Sequence, residues 1–213
     1  LTLGSELTSI GNSAFQNSPS LTSLTIPNKV TSIGGYAFSG SDNLTSLTVG
    51  EQVSSIGSYA FSTSPLTTVR FLGASAPTLG DFVFPSGASP WASEVYYRKA
   101  GGSWPATIVG HTLTEVVAPS ITTQPTSSTV ASGSSVTLNV AADAHTGGGT
   151  TSYQWFKDGS PVSGATSSSL TLTASGSTRG SYNVEATTWA GTTSSASATV
   201  SLSATTGGLV YTY

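Results

Sequence analysis

The 213-residue chain contains no cysteine and no methionine, and only 7% of its residues are charged. Without cysteine, the chain can form neither a disulfide framework nor a cysteine-ligated metal site. Its net charge is −3 and its six Lys and Arg residues are scattered, so no basic surface is available for nucleic acid or an anionic membrane. No run of about 18 apolar residues occurs, and we therefore expect no membrane insertion.

The lack of methionine also means that the chain has no initiator residue of its own. We expect either a mature protein whose secretion signal was removed or a fragment cut from a longer chain. Hydrophobic residues make up 37% of the sequence, which is too many for a disordered chain of low hydrophobicity and high charge. The abundance of serine and threonine favours β structure with hydroxyl groups on its outer faces.

The first half of the chain repeats one phrase of nine residues. The copies are LTSIGNSAF at residues 7–15, VTSIGGYAF at 30–38 and VSSIGSYAF at 53–61. Their isoleucines and phenylalanines recur every 23 residues, at Ile10, Ile33 and Ile56 and at Phe15, Phe38 and Phe61. A second set of apolar residues keeps this interval within strand-like segments such as LTSLTIP. Such a period predicts a solenoid.

A single repeat cannot close a core of its own. It offers about seven buried apolar side chains, worth about 10–20 kcal/mol, whereas ordering its 23 residues costs about 1–2 kcal/mol each. Stability must therefore come from neighbouring copies that stack into one continuous core. We expect the apolar residues of the phrase to face inward. The glycines after each isoleucine should require either a positive φ or close packing, at Gly11, Gly34 and Gly57.

The complete repeat pattern is L-x-x-L-x-[IV]-[PG]-x-x-[VL]-x-x-I-G-x-x-A-F-x-x-S-x-x-L. It resembles the BspA-type leucine-rich repeats of bacterial surface proteins, over residues 1 to about 75. That family usually carries cysteine three residues after the phenylalanine, where this chain has Ser18, Ser41 and Ser64. The resemblance implies a secreted or surface-displayed solenoid used for attachment, with no catalytic residues.

Residues 71–116 break the 23-residue interval, and we expect them to be a degenerate repeat that closes one end of the solenoid. The candidate plugs of the core are Phe71, Leu79, Phe82, Phe84, Val95, Tyr97, Trp104 and Ile108. The other end begins mid-phrase at Leu1, where we expect exposed apolar surface that is either an interface or a result of truncation.

The sequence pattern changes at Ala118 and Pro119. After them, short segments in which apolar and polar residues alternate recur between turns. These segments are SVTLNVAA, SYQWFKDG, SLTLTA, GSYNVEATT and SASATVSLS. Over about residues 119–203, their spacing and the tryptophan of YQWFKDG resemble a bacterial immunoglobulin-like domain, which implies a sandwich of two sheets.

Particular residues carry this second resemblance. Trp155 matches the buried tryptophan of strand C, and Leu138 and Val140 match the core of strand B. Tyr182 lies in the tyrosine-corner stretch TRGSYNV, two residues before Val184. The extracellular family often places its two inter-sheet cysteines where this chain has the two valines. The resemblance therefore implies a core tryptophan packed on aliphatic side chains.

The sequence offers no constellation for catalysis. His111 and His145 fall in different halves, with no carboxylate spaced like a metal ligand. No G-x-S-x-G elbow occurs, no Ser/His/Asp set can be proposed, and nothing pairs any two of the nine acidic residues as a glycosidase would. We expect no enzyme activity, no cofactor and no metal.

Binding is harder to exclude. The strand positions that should line the exposed sheet of the solenoid carry hydroxyl groups and one cation: Thr22, Ser23, Thr25, Thr45, Ser46, Thr48, Thr67, Thr68 and Arg70. Among them, Thr25, Thr48 and Arg70 are the candidate interaction residues for a protein or a glycan, with a solvated polar face as the alternative. Asn43 lies in the only N-x-[ST] sequon and is the candidate glycosylation site.

Residues 207–213, GGLVYTY, alternate β-formers with aromatic residues after a pair of glycines. As a free tail this segment would be an exposed edge strand. Leu209, Tyr211 and Tyr213 are its candidate interaction residues, either at the start of a further domain or in a strand added to a neighbouring subunit. If that neighbour presented Leu1 and Leu3, head-to-tail stacking would form a filament.

The sequence thus predicts a mainly β protein with a leucine-rich-repeat solenoid over 1–116, an immunoglobulin-like sandwich over 117–204 and a tail at 205–213. The leading function is a non-catalytic structural or attachment module, outside the cell or on its surface, that serves as a subunit of a head-to-tail fibre. A glycan- or protein-binding adhesin and an accessory region of a larger secreted enzyme are the alternatives. The expected partner is a protein, through self-association or a surface contact, or else a glycan.

Overall fold

The computed structural model describes residues 1–85, 94–98 and 102–204. The chain divides into two units, Leu1–Val117 and Ala118–Tyr213. All regular structure in the described residues is β-strand, as the alternation of apolar and hydroxyl-bearing residues predicts. The mainly β fold class is confirmed, with a β-solenoid in the first unit.

Eleven short strands occur in the described part of the first unit. They are β1 (Ser9–Ile10), β2 (Ser23–Thr25), β3 (Ser32–Ile33), β4 (Ser46–Val49), β5 (Ser55–Ile56), β6 (Thr68–Phe71), β7 (Thr78–Leu79), β8 (Glu94–Arg98), β9 (Thr107–Ile108), β10 (His111–Thr112) and β11 (Thr114–Val116). One parallel sheet has the order β11-β8-β6-β4-β2, the other has the order β1-β3-β5-β7, and β9 and β10 form a hairpin. From β1 to β8 the strands alternate between the two sheets, so each of these turns contributes one strand to each sheet, and β11 adds a fifth strand to the larger one.

Equivalent residues of successive repeats lie side by side. Ile10, Ile33 and Ile56 are in register in the smaller sheet, and Leu24 pairs with Leu47 in the larger one. All five are buried, because alternate residues of both sheets point into the space between them. The 23-residue period of the sequence is therefore the length of one turn.

A column of phenylalanines runs through this core. The rings of Phe15, Phe38, Phe61 and Phe84 stack with centroid distances of 5.2, 5.2 and 5.9 Å. Phe38 and Phe61 are completely buried, whereas Phe15 has a ring neighbour on one side only and is half-buried. Each ring owes its burial to the next repeat, which is the reason that the phrase occurs in series.

The repeated glycines serve close packing rather than a positive φ. A Cβ on Gly57 would overlap the backbone nitrogen of Gly35 and lie 2.8 Å from the carbonyl carbon of Gly34. A Cβ on Gly34 would overlap Asn12 in the same way, whereas one on Gly11 would meet nothing within 4 Å. The turns at these positions therefore approach one another closely, and only the first copy has space for a side chain.

We expect Gly57→Ala to destabilise the solenoid by about 1–3 kcal/mol, because the new methyl group forces two backbone segments apart. Gly11→Ala is the matched control at the same repeat position, and it should change the stability by less than about 0.5 kcal/mol. Urea unfolding of both variants gives the measurement. Equal losses in the two variants would contradict the close-packing role.

The serines at the family's cysteine position lie in two different environments. Ser18 is half-buried and its hydroxyl donates a hydrogen bond of 2.8 Å to the carbonyl oxygen of Phe15. Ser41 and Ser64 are fully buried, and their hydroxyl oxygens have no hydrogen-bond partner. A buried hydroxyl group without a partner costs free energy, so the inner repeats carry a penalty that the first one lacks.

Ser64→Ala should accordingly raise the free energy of unfolding by about 1 kcal/mol, since it removes an unpaired buried hydroxyl group. Ser18→Ala removes a hydroxyl group that is hydrogen-bonded and should lower stability by about 0.5–1.5 kcal/mol. Opposite shifts of the urea midpoint are the expected result. A loss of stability in both variants would show that Ser64 has a partner in solution.

The degenerate last repeat fills the core largely as expected, with one exception. Phe71, Phe84, Val95 and Ile108 are buried, and the half-buried Leu79, Tyr97 and Trp104 pack against the same core. Phe82, however, is 57% exposed, so its assignment as a plug is wrong. Its backbone has a positive φ of 52°, which turns the side chain away from the interior.

The described part of the second unit contains ten strands. They are β12 (Ser120–Thr123), β13 (Ser128–Val130), β14 (Ser135–Asn139), β15 (Ala141–Asp143), β16 (Ser152–Lys157), β17 (Ser160–Pro161), β18 (Ser169–Thr173), β19 (Gly180–Thr188), β20 (Gly191–Ser194) and β21 (Ala198–Leu202). The largest sheet has the order β13-β21-β19-β16-β17, with β20 also paired to β19. Pairs β14-β18 and β12-β15 complete the unit.

The core of the second unit is built as the immunoglobulin resemblance implies. Trp155 is completely buried, and its indole N–H donates a hydrogen bond of 2.9 Å to the carbonyl oxygen of Ser167. Leu138, Val140 and Val184 are also buried, so aliphatic side chains occupy the positions of the usual cysteines. The tryptophan packs among them in one hydrophobic cluster.

The tyrosine corner is formed. Tyr182 is 1% exposed, and its hydroxyl group donates a hydrogen bond of 2.7 Å to the carbonyl oxygen of Thr178. Burial raises the pKa of the Tyr182 phenol above its usual value. The Thr178 hydroxyl accepts a hydrogen bond from the backbone N–H of Ser175 and donates one to the carbonyl oxygen of Thr173. These two hydrogen bonds of Thr178 fix the turn that precedes the tyrosine.

Candidate functional site

The three interaction residues predicted on the solenoid form one row across its larger sheet. Thr25, Thr48 and Arg70 are paired in register on β2, β4 and β6, and Tyr96 of β8 continues the row. Thr25 is exposed, whereas Thr48 and Arg70 are partly exposed. The row crosses four turns of the solenoid, so residues separated by 22–26 positions in sequence become neighbours in space.

Arg70 and Tyr96 form the strongest electrostatic feature of this row. The guanidinium carbon lies 5.9 Å from the centroid of the tyrosine ring, within reach of a cation–π interaction. Burial raises the pKa of the Tyr96 hydroxyl group, the carboxylate of Glu94 raises it further, and the positive charge of Arg70 opposes both effects. The phenol therefore stays neutral at physiological pH.

A second cation, Arg98, lies on β8, the strand of Tyr96. The Arg98 guanidinium donates a hydrogen bond of 3.0 Å to the carboxylate of Glu51. Glu51 lies in a turn of an earlier repeat. The sequence pattern did not reveal Tyr96 or Arg98 as members of this face, because residues 71–116 depart from the 23-residue interval. The continued register of β6 and β8 is the only signal that places them there.

The apolar residues of the first repeat lie beside a cleft. Leu1 is 63% exposed, while Leu3 is half-buried and packs against the solenoid core. Both line a cleft of about 600 Å³ that also contacts Thr25 and the ion pair between Lys29 and Glu6. The surface is therefore part apolar and part charged. Leu209, Tyr211 and Tyr213, the candidates for the opposite contact, lie outside the described residues.

Asn43 is exposed, as a glycosylation site requires. Its side-chain nitrogen donates a hydrogen bond of 2.7 Å to the carbonyl oxygen of Pro19 in the preceding turn. A glycan at this position would be attached to an atom that already links two repeats.

A column of aromatic rings on the outside of the turns, with Tyr36 and Phe82 exposed and Tyr59 partly exposed, does not follow from the sequence analysis. The rings of Tyr36, Tyr59 and Phe82 stack along the turns, with centroid distances of 4.9 and 5.3 Å. All three residues occupy the fourth position of the I-G-x-x-A-F phrase, where the first copy has Ser13. The recurrence of an aromatic residue at this position in three successive turns could have predicted the column. The expectation that all apolar residues of the phrase face inward led away from that prediction. Tyr36 is 44% exposed.

Other kinds of site are not found in the described residues. Residues 1–85, 94–98 and 102–204 hold no group of three or more His, Asp or Glu side chains placed to bind a metal ion. His145 instead lies 3.7 Å from the carboxylate of Asp143 in an exposed loop. Within the same residues, no helix has the length and apolar character needed to cross a membrane.

Family models match both units. The BspA-type leucine-rich repeat region matches residues 1–89, in six copies. The immunoglobulin domain matches residues 118–188. This chain carries a BspA-type leucine-rich repeat region followed by an immunoglobulin domain. The repeat match extends beyond residue 75, into the turn that holds Phe82 and Phe84. Both domain types are typical of extracellular or surface proteins, in which they serve adhesion, structure and protein interaction rather than catalysis.

No curated protein matches the chain. Among solved structures, a chimeric titin Z1Z2-Z1Z2 tandem is 25% identical, with a TM-score of 0.37 over 43% of this chain and 54% of that one. Tandem Ig repeats of Dlar are 21% identical, with a TM-score of 0.38 over 43% of this chain and 52% of that one. Domains 3–5 of the extracellular part of Drosophila OTK are 17% identical, with a TM-score of 0.38 over 44% and 34%. The chain thus covers about half the length of the first two structures.

Proposed function

We propose that this chain is a non-catalytic attachment module of an extracellular or cell-surface protein, and that the exposed face of its larger sheet binds a protein partner. The observation that carries the proposal is the row of Thr25, Thr48 and Arg70, which offers hydroxyl groups around one cation. Arginine is enriched among the residues that dominate protein interfaces, and here the guanidinium of Arg70 lies within cation–π reach of the buried Tyr96 ring. Parallel strands fixed in register keep the row rigid, which lowers the entropic cost of binding.

Beads coated with the chain test this proposal on a monolayer of epithelial cells. We expect them to adhere more strongly than albumin-coated beads, and Arg70→Ser should reduce adhesion about tenfold. Arg179→Ser is the matched control, since it removes an exposed arginine of the second unit. Adhesion no greater than that of albumin beads, or equal adhesion of the two variants, would overturn the proposal.

Assembly of a head-to-tail fibre is a second candidate function. It is favoured by the exposure of Leu1 and by the part-apolar cleft beside it, where strand β2 ends the larger sheet. In this arrangement Leu1 and Leu3 would receive the segment with Leu209, Tyr211 and Tyr213 from a neighbouring copy. We expect polymers in electron micrographs of the chain, and none after Leu1→Ser and Leu3→Ser together. A monodisperse monomer of about 21.4 kDa would contradict the fibre.

A further inference from the structure

Strand β18 of the second unit has a partner on one side only. It pairs with β14 along its whole length, and no other strand in the described part of the chain pairs with it. The backbone N–H and C=O groups on such an edge form a template for a further strand. We call the backbone groups that β18 turns away from β14 the open edge.

The hydrogen bonds that flank β18 identify the groups on the open edge. The backbone N–H of Val140 donates to the carbonyl oxygen of Ser168, and that of Ala174 donates to the carbonyl oxygen of Ser134, so both flanking residues of β18 face β14. Backbone groups alternate in direction along an antiparallel strand. The groups that point away from β14 therefore belong to every second residue: Ser169, Thr171 and Thr173.

The open edge lacks the features that usually prevent strands from pairing, which are charge, proline and bulges. Residues 159–178 contain no charged side chain, and β18 has neither a proline nor a shift of register. The edge strand β17 of the larger sheet, by contrast, carries Pro161. The carbonyl oxygen of Thr173 accepts a hydrogen bond from the Thr178 hydroxyl, but it keeps a second lone pair. The edge is thus able to accept another strand.

The sequence of β18, SLTLT, is nearly symmetric about Thr171. An antiparallel copy of β18 centred on this residue would place threonine opposite threonine and leucine opposite leucine. Strand β14, SVTLN, already offers such a set on the paired edge, where Thr137 lies opposite Thr171 with aliphatic residues on both sides. The hydroxyl oxygens of these two threonines are 3.0 Å apart. A second copy of β18 therefore matches the open edge as β14 matches the paired one.

Leu172 would gain apolar contacts from such a neighbour. Leu170 is buried, whereas Leu172 is partly exposed although it packs against the same core. In the symmetric pairing, Leu170 of the second copy lies opposite Leu172 and covers it, and the contact occurs twice. The outer faces of β14 and β18 carry hydroxyl and amide groups without charge, so two copies meet without electrostatic repulsion.

We propose that two copies of this chain associate through the open edge, with β18 paired antiparallel to β18 of the second copy about a two-fold axis at Thr171. The pairing forms about six backbone hydrogen bonds and closes after two copies. A strand of five residues is about 17 Å long, which is less than a permanent interface of about 800 Å² on each partner requires. We therefore expect a reversible dimer with a dissociation constant of about 10–100 μM.

This interface goes beyond the proposed function. It lies on the second unit and joins copies by a sheet edge, whereas adhesion was assigned to the row that contains Arg70 and the fibre to the cleft beside Leu1. Strand addition of this kind gives affinity through main-chain hydrogen bonds, with specificity from the side chains that lie opposite one another.

Sedimentation equilibrium of the whole chain tests the proposal, with a monomer of 21.4 kDa and a dimer of twice that mass as the expected species. Thr171→Lys brings two positive charges to about 5.5 Å across the axis and should weaken dimerisation about tenfold or more. Thr137→Lys is the matched control, because it breaks the same contact between threonine hydroxyls and adds the same charge to the same face. Its two charges lie roughly 14 Å apart in the dimer, so it should change dimerisation by at most about twofold.

Amide hydrogen exchange measured by NMR gives a second readout on the unmodified chain. The N–H of Leu172 faces β14 and should exchange slowly at every concentration. The N–H of Thr171 lies on the open edge and should exchange slowly only at concentrations at which the dimer forms. This difference between neighbouring amides reports strand pairing itself rather than association at another surface.

A monomer at all concentrations up to about 500 μM would overturn the proposal. Equal dimerisation of the two lysine variants would do the same, as would a dimer in which the Thr171 amide still exchanges rapidly. Association that is abolished by deleting residues 205–213 would assign the open edge to the tail of a neighbouring copy, and the two-fold pairing would then be wrong. Neither adhesion through Arg70 nor polymers formed through Leu1 depend on Thr171, so the proposals fail separately.

Discussion

Replacing Phe61 by alanine is expected to lower the free energy of unfolding of the solenoid by about 3–5 kcal/mol. The ring is completely buried and stacks between those of Phe38 and Phe84, at centroid distances of 5.2 and 5.9 Å. Its loss removes apolar contacts on both sides and leaves a cavity that the hydrogen-bonded turns above and below cannot close. The loss should also destabilise the adjacent repeats, since each repeat of a solenoid is stabilised by its neighbours.

Phe15→Ala is the matched control, because the same residue type at the same repeat position is half-buried and stacks on Phe38 alone. Its expected loss is about half as large. Urea unfolding gives both values, and hydrogen exchange of peptides from residues 21–71 assigns the transition to the first unit. Equal losses would show that the column does not act as a cooperative core.

Trp155→Ala should lower the free energy of unfolding of the second unit by about 3–5 kcal/mol. The tryptophan belongs to β16, in the sheet β13-β21-β19-β16-β17 of this unit. It is completely buried and packs in one cluster with Leu138 and Val184. This unit has no disulfide to restrict its unfolded state, so the packed tryptophan carries a larger share of the stability.

Trp155→Phe separates ring volume from hydrogen bonding. It retains most of the buried ring but takes the indole donor away from the carbonyl oxygen of Ser167, which should cost about 1–3 kcal/mol. Thermal unfolding followed by near-ultraviolet circular dichroism measures both variants. A phenylalanine variant as unstable as the alanine variant would mean that the hydrogen bond, and not the packing, dominates.

Much of the fold follows from spacing alone. The 23-residue recurrence of isoleucine and phenylalanine predicts a solenoid because identical residues can share one core only when the turns are equal in length. The second unit is predictable for a different reason, since Trp155 and Tyr182 stand at intervals that bring them into one sandwich core. The candidate site was predicted in part: the row of Thr25, Thr48 and Arg70 follows from the repeat, but Tyr96 does not.

By itself, therefore, the sequence determined the repeat length, the strand positions and the residues that the core requires. The tertiary structure alone decided which aromatic residues of the phrase face outward. Phe82 and Phe84 are two positions apart, yet the first is 57% exposed and the second 1%. The difference follows the left-handed backbone at the fourth position of each turn, which turns that side chain away from the interior. At Ser13, Tyr36 and Tyr59 the backbone N–H of this position donates a hydrogen bond to the next turn. A column of three rings on the outside of the turns results because the same turn recurs, and a single copy read alone gives no sign of it.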